Sequence, residues 1–400
     1  MISEMYVPLL LLSSALFIPS HGSLTREMSI ATNNFAVELL KTSFNSGNRA
    51  SNTIISPLSL YTVLAITQQG AGGNTENEVT QVLHAQPAET RVGFRDLINN
   101  IKDTHNDIQI EFSNKLFIAT GFNILPEFKN MTVEDFKSDI ESVDFTQPEA
   151  AARTINDWVS QSTHQRIQQL VSQESLTPDT ALMLLNAVFF SGEWDKIFHT
   201  GSTSLKEFHT LSGSSKNVST MHLYREILHA GHCSHIGAKF VHLLFRDEQY
   251  SMLVVVPDER EGLVNVTNNL QGERLYNLTR HQELRYVNLA LPKFKFETTS
   301  SLNDVLRTMG LSDMFGHSAN FSGIAEEALA VSDVRQKAEI EVDEKGAKAS
   351  AATSIRFVPF SAQILRNNEV VEIEVDHPFL VFIVDRTHSV PIFSAWIGDP

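Results

Sequence analysis

Residues 339–361 read EIEVDEKGAKASAATSIRFVPFS, and two kinds of chain meet inside them. Glu339 to Val342 alternates acidic and aliphatic side chains, the period-two signature of a strand with one buried face. From Gly346 onward the residues become very small. Read as a strand, that stretch carries Ala347, Ala349, Ala351, Thr353 and Ile355 on one face and Lys348, Ser350, Ala352, Ser354 and Arg356 on the other. The first face is small and apolar, so it can slide between existing strands without overpacking the core beneath. The second is polar or tiny and tolerates solvent. The stretch has too little apolar bulk to dock firmly while it stands alone. A solvated Ala-rich helix or a plain linker fits the pattern equally well.

Outward from this segment the chain reads as one large mixed domain, residues 23–400. No repeat, Pro- or Gly-rich linker or long charge block marks a boundary. With 42% hydrophobic residues in 400 it can bury a large core. Its net charge of -16 gives no electrostatic reason to bind nucleic acid or an anionic membrane surface. Helical spacing is expected over residues 28–43, 58–68 and 154–171, the last with Trp158, Ile167 and Leu170 on one stripe. Apolar runs without alternation at 181–190, 251–256, 286–291 and 378–384 suit strands covered on both faces. The class is α+β, helices packed on large sheets.

The N-terminus reads as a secretory signal over residues 1–22. Val7 to Ile18 is apolar but too short to span a bilayer, and small Ser20 and Gly22 sit two apart as a cleavage site requires. No Lys or Arg precedes the run, and Glu4 is acidic. Cys233 is the single cysteine, so no intrachain disulfide can form. Asn-x-Ser/Thr triplets at Asn130, Asn217, Asn265, Asn277 and Asn320 are glycosylation candidates in a secreted chain.

Catalytic signatures are missing. There is no Gly-x-Ser-x-Gly elbow, His-Glu-x-x-His helix, phosphate loop or dinucleotide fingerprint, so no catalytic residue is assigned. The glycine-rich Gly70-Ala71-Gly72-Gly73-Asn74 lacks a following basic residue and is expected to be a tight turn with positive φ angles. His222, His229, His232, Cys233, His235 and His242 cluster in sequence. Without a second ligand pair elsewhere they are expected to be structural or surface residues, with no metal and no cofactor.

Several stretches resemble the serpin family of serine protease inhibitors, arthropod inhibitory members included. Glu344-Lys345-Gly346 followed by small residues is similar to the serpin hinge. Asn52-Thr53-Ile54-Ile55-Ser56-Pro57-Leu58-Ser59 resembles the motif beneath the sheet where it opens, and Gly70 to Thr75 resembles a family turn. Asn186-Ala187-Val188-Phe189-Phe190 with Gly192 and Trp194, Leu291-Pro292-Lys293-Phe294, Phe321-Ser322-Gly323-Ile324 and Val375-Asp376-His377-Pro378-Phe379-Leu380 also fit, in family order over roughly residues 30–400. The resemblance implies a serpin fold, with helices on three β-sheets and an exposed reactive-centre loop at about 344–370. It also implies a non-enzymatic, suicide-substrate mechanism: a serine protease cuts the loop, and the freed hinge inserts into the central sheet. The hinge residues are then Glu344, Gly346, Ala347, Ala349, Ala351, Ala352 and Thr353. The sheet-opening region is Asn52, Ser56, Pro57, Asn186, Trp194 and Gln336. Gln336 stands where many relatives have a buried histidine.

Family spacing from Glu344 and Gly346 puts the cut bond at Phe360-Ser361, which suits an apolar chymotrypsin-like pocket. Counting back from Pro378 gives Leu365-Arg366 or Arg366-Asn367, the latter suiting a trypsin-like enzyme. The hinge-side count is preferred, because insertion length is set from there. The resemblance thus implies an extracellular serine protease as the partner, with the chain itself a monomer. Heparin is not expected, since residues 74–103 carry only Arg91, Arg95 and Lys102 as bases. A non-inhibitory serpin acting as carrier, chaperone or storage protein is the alternative, and an unrelated hydrolase is disfavoured by the missing motifs.

Overall fold

The computed structural model describes residues 21–47, 49, 51–102, 108–347 and 369–400. The signal-like run before His21 lies outside them. Among the described residues, no helix is long and apolar enough to cross a membrane.

A six-stranded sheet forms the centre of the molecule. Its order is Phe294–Ser301, Val331–Val342, the two-residue strand Gly346–Ala347, Leu182–Glu193, Ile108–Ala119 and Asp139–Val143. Leu182–Glu193 is buried along nearly its whole length because both faces are covered, which explains its unbroken apolar run. Behind it lies the helix Pro57–Gly70, itself almost wholly buried. Ser56 caps that helix by accepting a hydrogen bond from the Ser59 amide, and Pro57 takes the first-turn position where no amide is needed. In front, the helix Pro148–Ser162 closes a smaller core of Phe117, Ile155, Val159, Leu170, Met183, Leu185 and Ala187.

The remaining strands form a nine-stranded sheet. The long strand Ser215–Cys233 passes through it with an irregularity between Leu223 and Glu226, where Arg225 takes a positive φ of 52°. The second and third expected sheets are therefore joined through one bent strand. Strand Leu284–Pro292 follows both halves, and Val370–Glu374 pairs parallel to it at the edge.

Two local expectations need correction. The helical pattern over 154–171 stops at Ser162, because His164 and Gln165 adopt φ angles of 49° and 63°. Ile167 and Leu170 still reach the core, but from an irregular segment, so burial mimicked helical spacing. In the glycine-rich turn only Gly73 has a positive φ. Gly70 ends a helix, and its missing side chain makes room for Ile324, whose Cγ1 would lie 2.3 Å from an added Cβ.

Within the histidine cluster, His229 and His242 are register partners on neighbouring strands. His242 is fully buried, its Nε2 donating to the Leu278 carbonyl at 3.0 Å and its Nδ1 3.1 Å from the Ser251 hydroxyl. Burial, chiefly, pushes its pKa from 6.5 to about 3, so the ring stays neutral. The unfolded chain takes up this proton near pH 6.5 and the folded protein only near 3, so stability falls as pH drops through that window. Denaturant titrations should show a loss of about 3 kcal/mol between pH 7 and pH 4 from this residue. His242→Gln, which keeps one donor and one acceptor, should flatten that part of the pH profile; an unchanged profile would refute the assignment.

Candidate functional site

The strand Val331–Val342 lies directly beside Leu182–Glu193 and parallel to it, paired from Val331↔Leu182 to Glu339↔Phe189. Towards the upper end this seam admits a third piece of chain. After Val342 the backbone reverses over Asp343 to Lys345. The Asp343 carboxylate accepts from the amides of Lys345 at 2.8 Å and Gly346 at 3.2 Å. Gly346 and Ala347 then run back antiparallel, opposite Glu193 and Gly192, with Ala347 also opposite Val342. Ala347 points into the core and is 1% exposed. Gly346 is required by close approach, since a Cβ there would sit 2.0 Å from the Gly192 carbonyl oxygen.

Five hydrogen bonds hold this turn to its neighbours. Trp194 donates its amide to the Lys345 carbonyl and its indole N–H to the Asp343 carbonyl, each at 2.9 Å. The Phe198 amide donates to the Glu344 carbonyl at 3.0 Å. The Glu344 carboxylate accepts from Lys293 Nζ and Thr203 Oγ1, both at 2.8 Å. Burial raises the pKa of this carboxyl, but the Lys293 and Thr203 hydrogen bonds and the Lys293 charge outweigh it and hold it below its ordinary value.

Halfway down the seam, polar side chains cross it on the core side. Gln336 accepts the Ser56 amide at 2.7 Å, and its NH2 donates to the Ser56 carbonyl at 3.0 Å and to Asn186 Oδ1 at 2.5 Å. Gln336 and Asn186 are register partners, as are Asn186 and Asn114. Asn114 in turn accepts from the Ser59 hydroxyl at 2.6 Å. Ser56 Oγ donates to the Ile392 carbonyl, which ties this row to the nine-stranded sheet.

Ser56, Asn186 and Gln336 thus meet at one point, with Pro57 starting the helix below them, while Trp194 sits at the top beside the turn. Asn52 stands apart: its side chain holds the amides of Gly398 and Asp399 and the Asp399 carbonyl, and so clamps the C-terminal residues. Ala349, Ala351, Ala352, Thr353, Phe360, Ser361, Leu365, Arg366 and Asn367 lie outside the described residues. All five candidate glycosylation asparagines are exposed. Cys233 is half-buried and free, and His232 pairs with Asp258 at 2.7 Å. Sequence reading missed Thr203, Asn114 and the role of Lys293. Only Lys293 sat within a quoted motif.

With this geometry in view, the likeness to known proteins is specific. The profile of the family described as Serpin (serine protease inhibitor) matches residues 30–400. Iris of Ixodes ricinus is 31% identical over 92% of this chain and 97% of its own. Leukocyte elastase inhibitor of Bos taurus is 31% identical over 94% of this chain and 100% of its own. The crystal structure of Serpin48 from Tenebrio molitor superposes with a TM-score of 0.82 at 30% identity, covering 94% of this chain and 98% of that one. The chain belongs to the serpin family.

The turn yields a direct test. Glu344→Gln removes the charge of a nearly buried carboxylate from its pair with the partly exposed Lys293, and should cost about 1 kcal/mol of local stability. Amide exchange at Gly346 and Ala347 should then quicken severalfold. The contribution of a depressed carboxyl is present above its unfolded pKa and lost as pH falls through the lower folded value, so the two proteins should converge at acid pH. Equal exchange at neutral pH would show that the ion pair does not hold the turn.

Proposed function

We propose that this serpin is a secreted, monomeric suicide inhibitor of a serine protease, cut at Phe360-Ser361. The protease serine attacks the Phe360 carbonyl. The bond to Ser361 breaks, the Ser361 amine leaves with a proton, and Phe360 remains as an ester on the protease. The hinge then extends down the seam and carries the protease with it, away from the geometry that deacylation needs.

One observation carries this reading: Gly346 and Ala347 already occupy the head of the seam in a register that can continue. Each further residue of the loop would step back one residue on both neighbours. That sequence puts Ala349, Ala351, Thr353 and Ile355 on the core side with Ala347, and Lys348, Ser350, Ala352, Ser354 and Arg356 on the other. Thr353 would arrive between Asn186 and Gln336, where its hydroxyl suits the polar row it parts. None of the core-side residues is charged, bulky beyond Ile355, or proline, so nothing on that face blocks insertion. Secretion is supported by the signal-like run and by the exposure of all five glycosylation candidates. A polyanion such as heparin has little to hold on the helix Pro87–Lys102, because Arg91 and Arg95 both turn to Asp135, at 2.6 and 3.6 Å.

Incubation with chymotrypsin-like enzymes should give an adduct that survives denaturing electrophoresis, and mass spectrometry should find a released fragment starting at Ser361. A fragment starting at Arg366 or Asn367 would move the bond and, for Asn367, the target class. Ala349→Glu and Ala351→Arg each place a charge on the core side, at several kcal/mol or more, and should turn inhibitor into substrate. The loop-cleaved protein should melt well above the intact one. No adduct and no rise in melting temperature would favour a carrier role instead.

A further inference from the structure

Arg335 and Gln336 are neighbours on one strand and so face opposite sides of the central sheet. Gln336 crosses the seam on the core side, as described. On the other side the Arg335 guanidinium crosses it too: Nη1 donates to Ser175 Oγ at 3.2 Å and lies 3.5 Å from the Leu170 carbonyl oxygen. Its Nη2 is held by Asp333 at 2.8 Å, and Asp333 accepts from the Ser301 hydroxyl at 2.7 Å, so the arginine is braced from its own side.

Leu170 and Ser175 belong to the segment that joins the helix Pro148–Ser162 to the strand Leu182–Glu193, and they are therefore attached to the far side of the seam. That segment is itself fixed. Asn156 on the helix accepts the amides of Leu170 at 2.8 Å and Val171 at 3.1 Å, and donates to the Val171 carbonyl at 2.8 Å. Ile167, Leu170 and Val171 are buried beneath it. Adding a strand to the seam moves its two sides apart by about 4.8 Å. A braced arginine and a clamped segment cannot both follow, so the Arg335 contacts must break as the seam opens.

We infer that Arg335 is the outer latch of the seam, a positioning residue that sets the barrier to strand insertion; this rests on the insertion reading above. Continued register would place Ser354 beside Arg335, so a hydroxyl replaces Ser175 once the strand is in. The latch therefore opposes the opening step and not the inserted state.

The test uses the intact full chain and a synthetic peptide of residues 346–357, with uptake into the sheet followed by native electrophoresis. Arg335→Ala and Ser175→Ala should each speed uptake by about three- to tenfold, the worth of one or two hydrogen bonds. The double variant should be no faster than Arg335→Ala alone. The melting temperature of the loop-cleaved form should be unchanged by Arg335→Ala. Unchanged uptake in both variants, while Gln336→Ala accelerates it, overturns the latch and leaves the insertion reading standing. A cleaved form weakened as much as the intact one makes Arg335 merely structural and also overturns it. If no variant takes up peptide and no protease adduct forms, the insertion reading fails and the latch with it.

Discussion

Two parallel strands lie side by side, Leu182–Glu193 and Val331–Val342, and at one end Gly346 and Ala347 run antiparallel between them. The reversal at Asp343 to Lys345 aims the chain down the seam, yet from Phe189 and Glu339 downward the two walls are already bonded to each other. The far end of the loop is tied as well, since Val370–Glu374 pairs with Tyr286 to Ala290 in the other sheet. The rest of the site follows from this geometry. Glu344 and Trp194 hold the entrance, and Gln336 with Ser56 and Asn186 holds the middle.

Much of this was legible in the sequence because local rules suffice for it. The alternation Ile340 and Val342 gave the strand, Gly346 and the alanines gave a segment that fits a crowded sheet, and the spacing over 58–68 gave the buried helix. The apolar run at 181–190 marked a strand covered on both faces. What was hidden depends on partners far apart in the chain. Nothing near Glu344 announces Lys293 and Thr203, which reach it from other elements. Asn52 was grouped with Ser56 because both stand in one family-like motif, but the extended chain between them carries Asn52 to the C-terminal residues. The 154–171 pattern misled for a related reason: Ile167 and Leu170 are buried by the sheet below, and burial alone reproduced a helical stripe.

Polar side chains in the middle of a buried sheet are an expensive way to close it, and apolar residues of the same size would bind the strands more tightly. Their directionality is what an apolar pair lacks. Gln336 spends all three of its hydrogen bonds on Ser56 and Asn186, so it fixes one register and resists sliding. Asn186 is not equally content: it is fully buried, and its Nδ2 has no partner. A buried donor left unpaired costs about 1–3 kcal/mol. On the proposed insertion path Thr353 brings a hydroxyl oxygen to that position, able to accept from Asn186. The closed sheet would then carry a small, local deficit that the inserted sheet removes, beside the larger gain from new strand pairing. The same amide that locks the seam is left wanting by it, so one residue both holds the closed state in place and favours its successor.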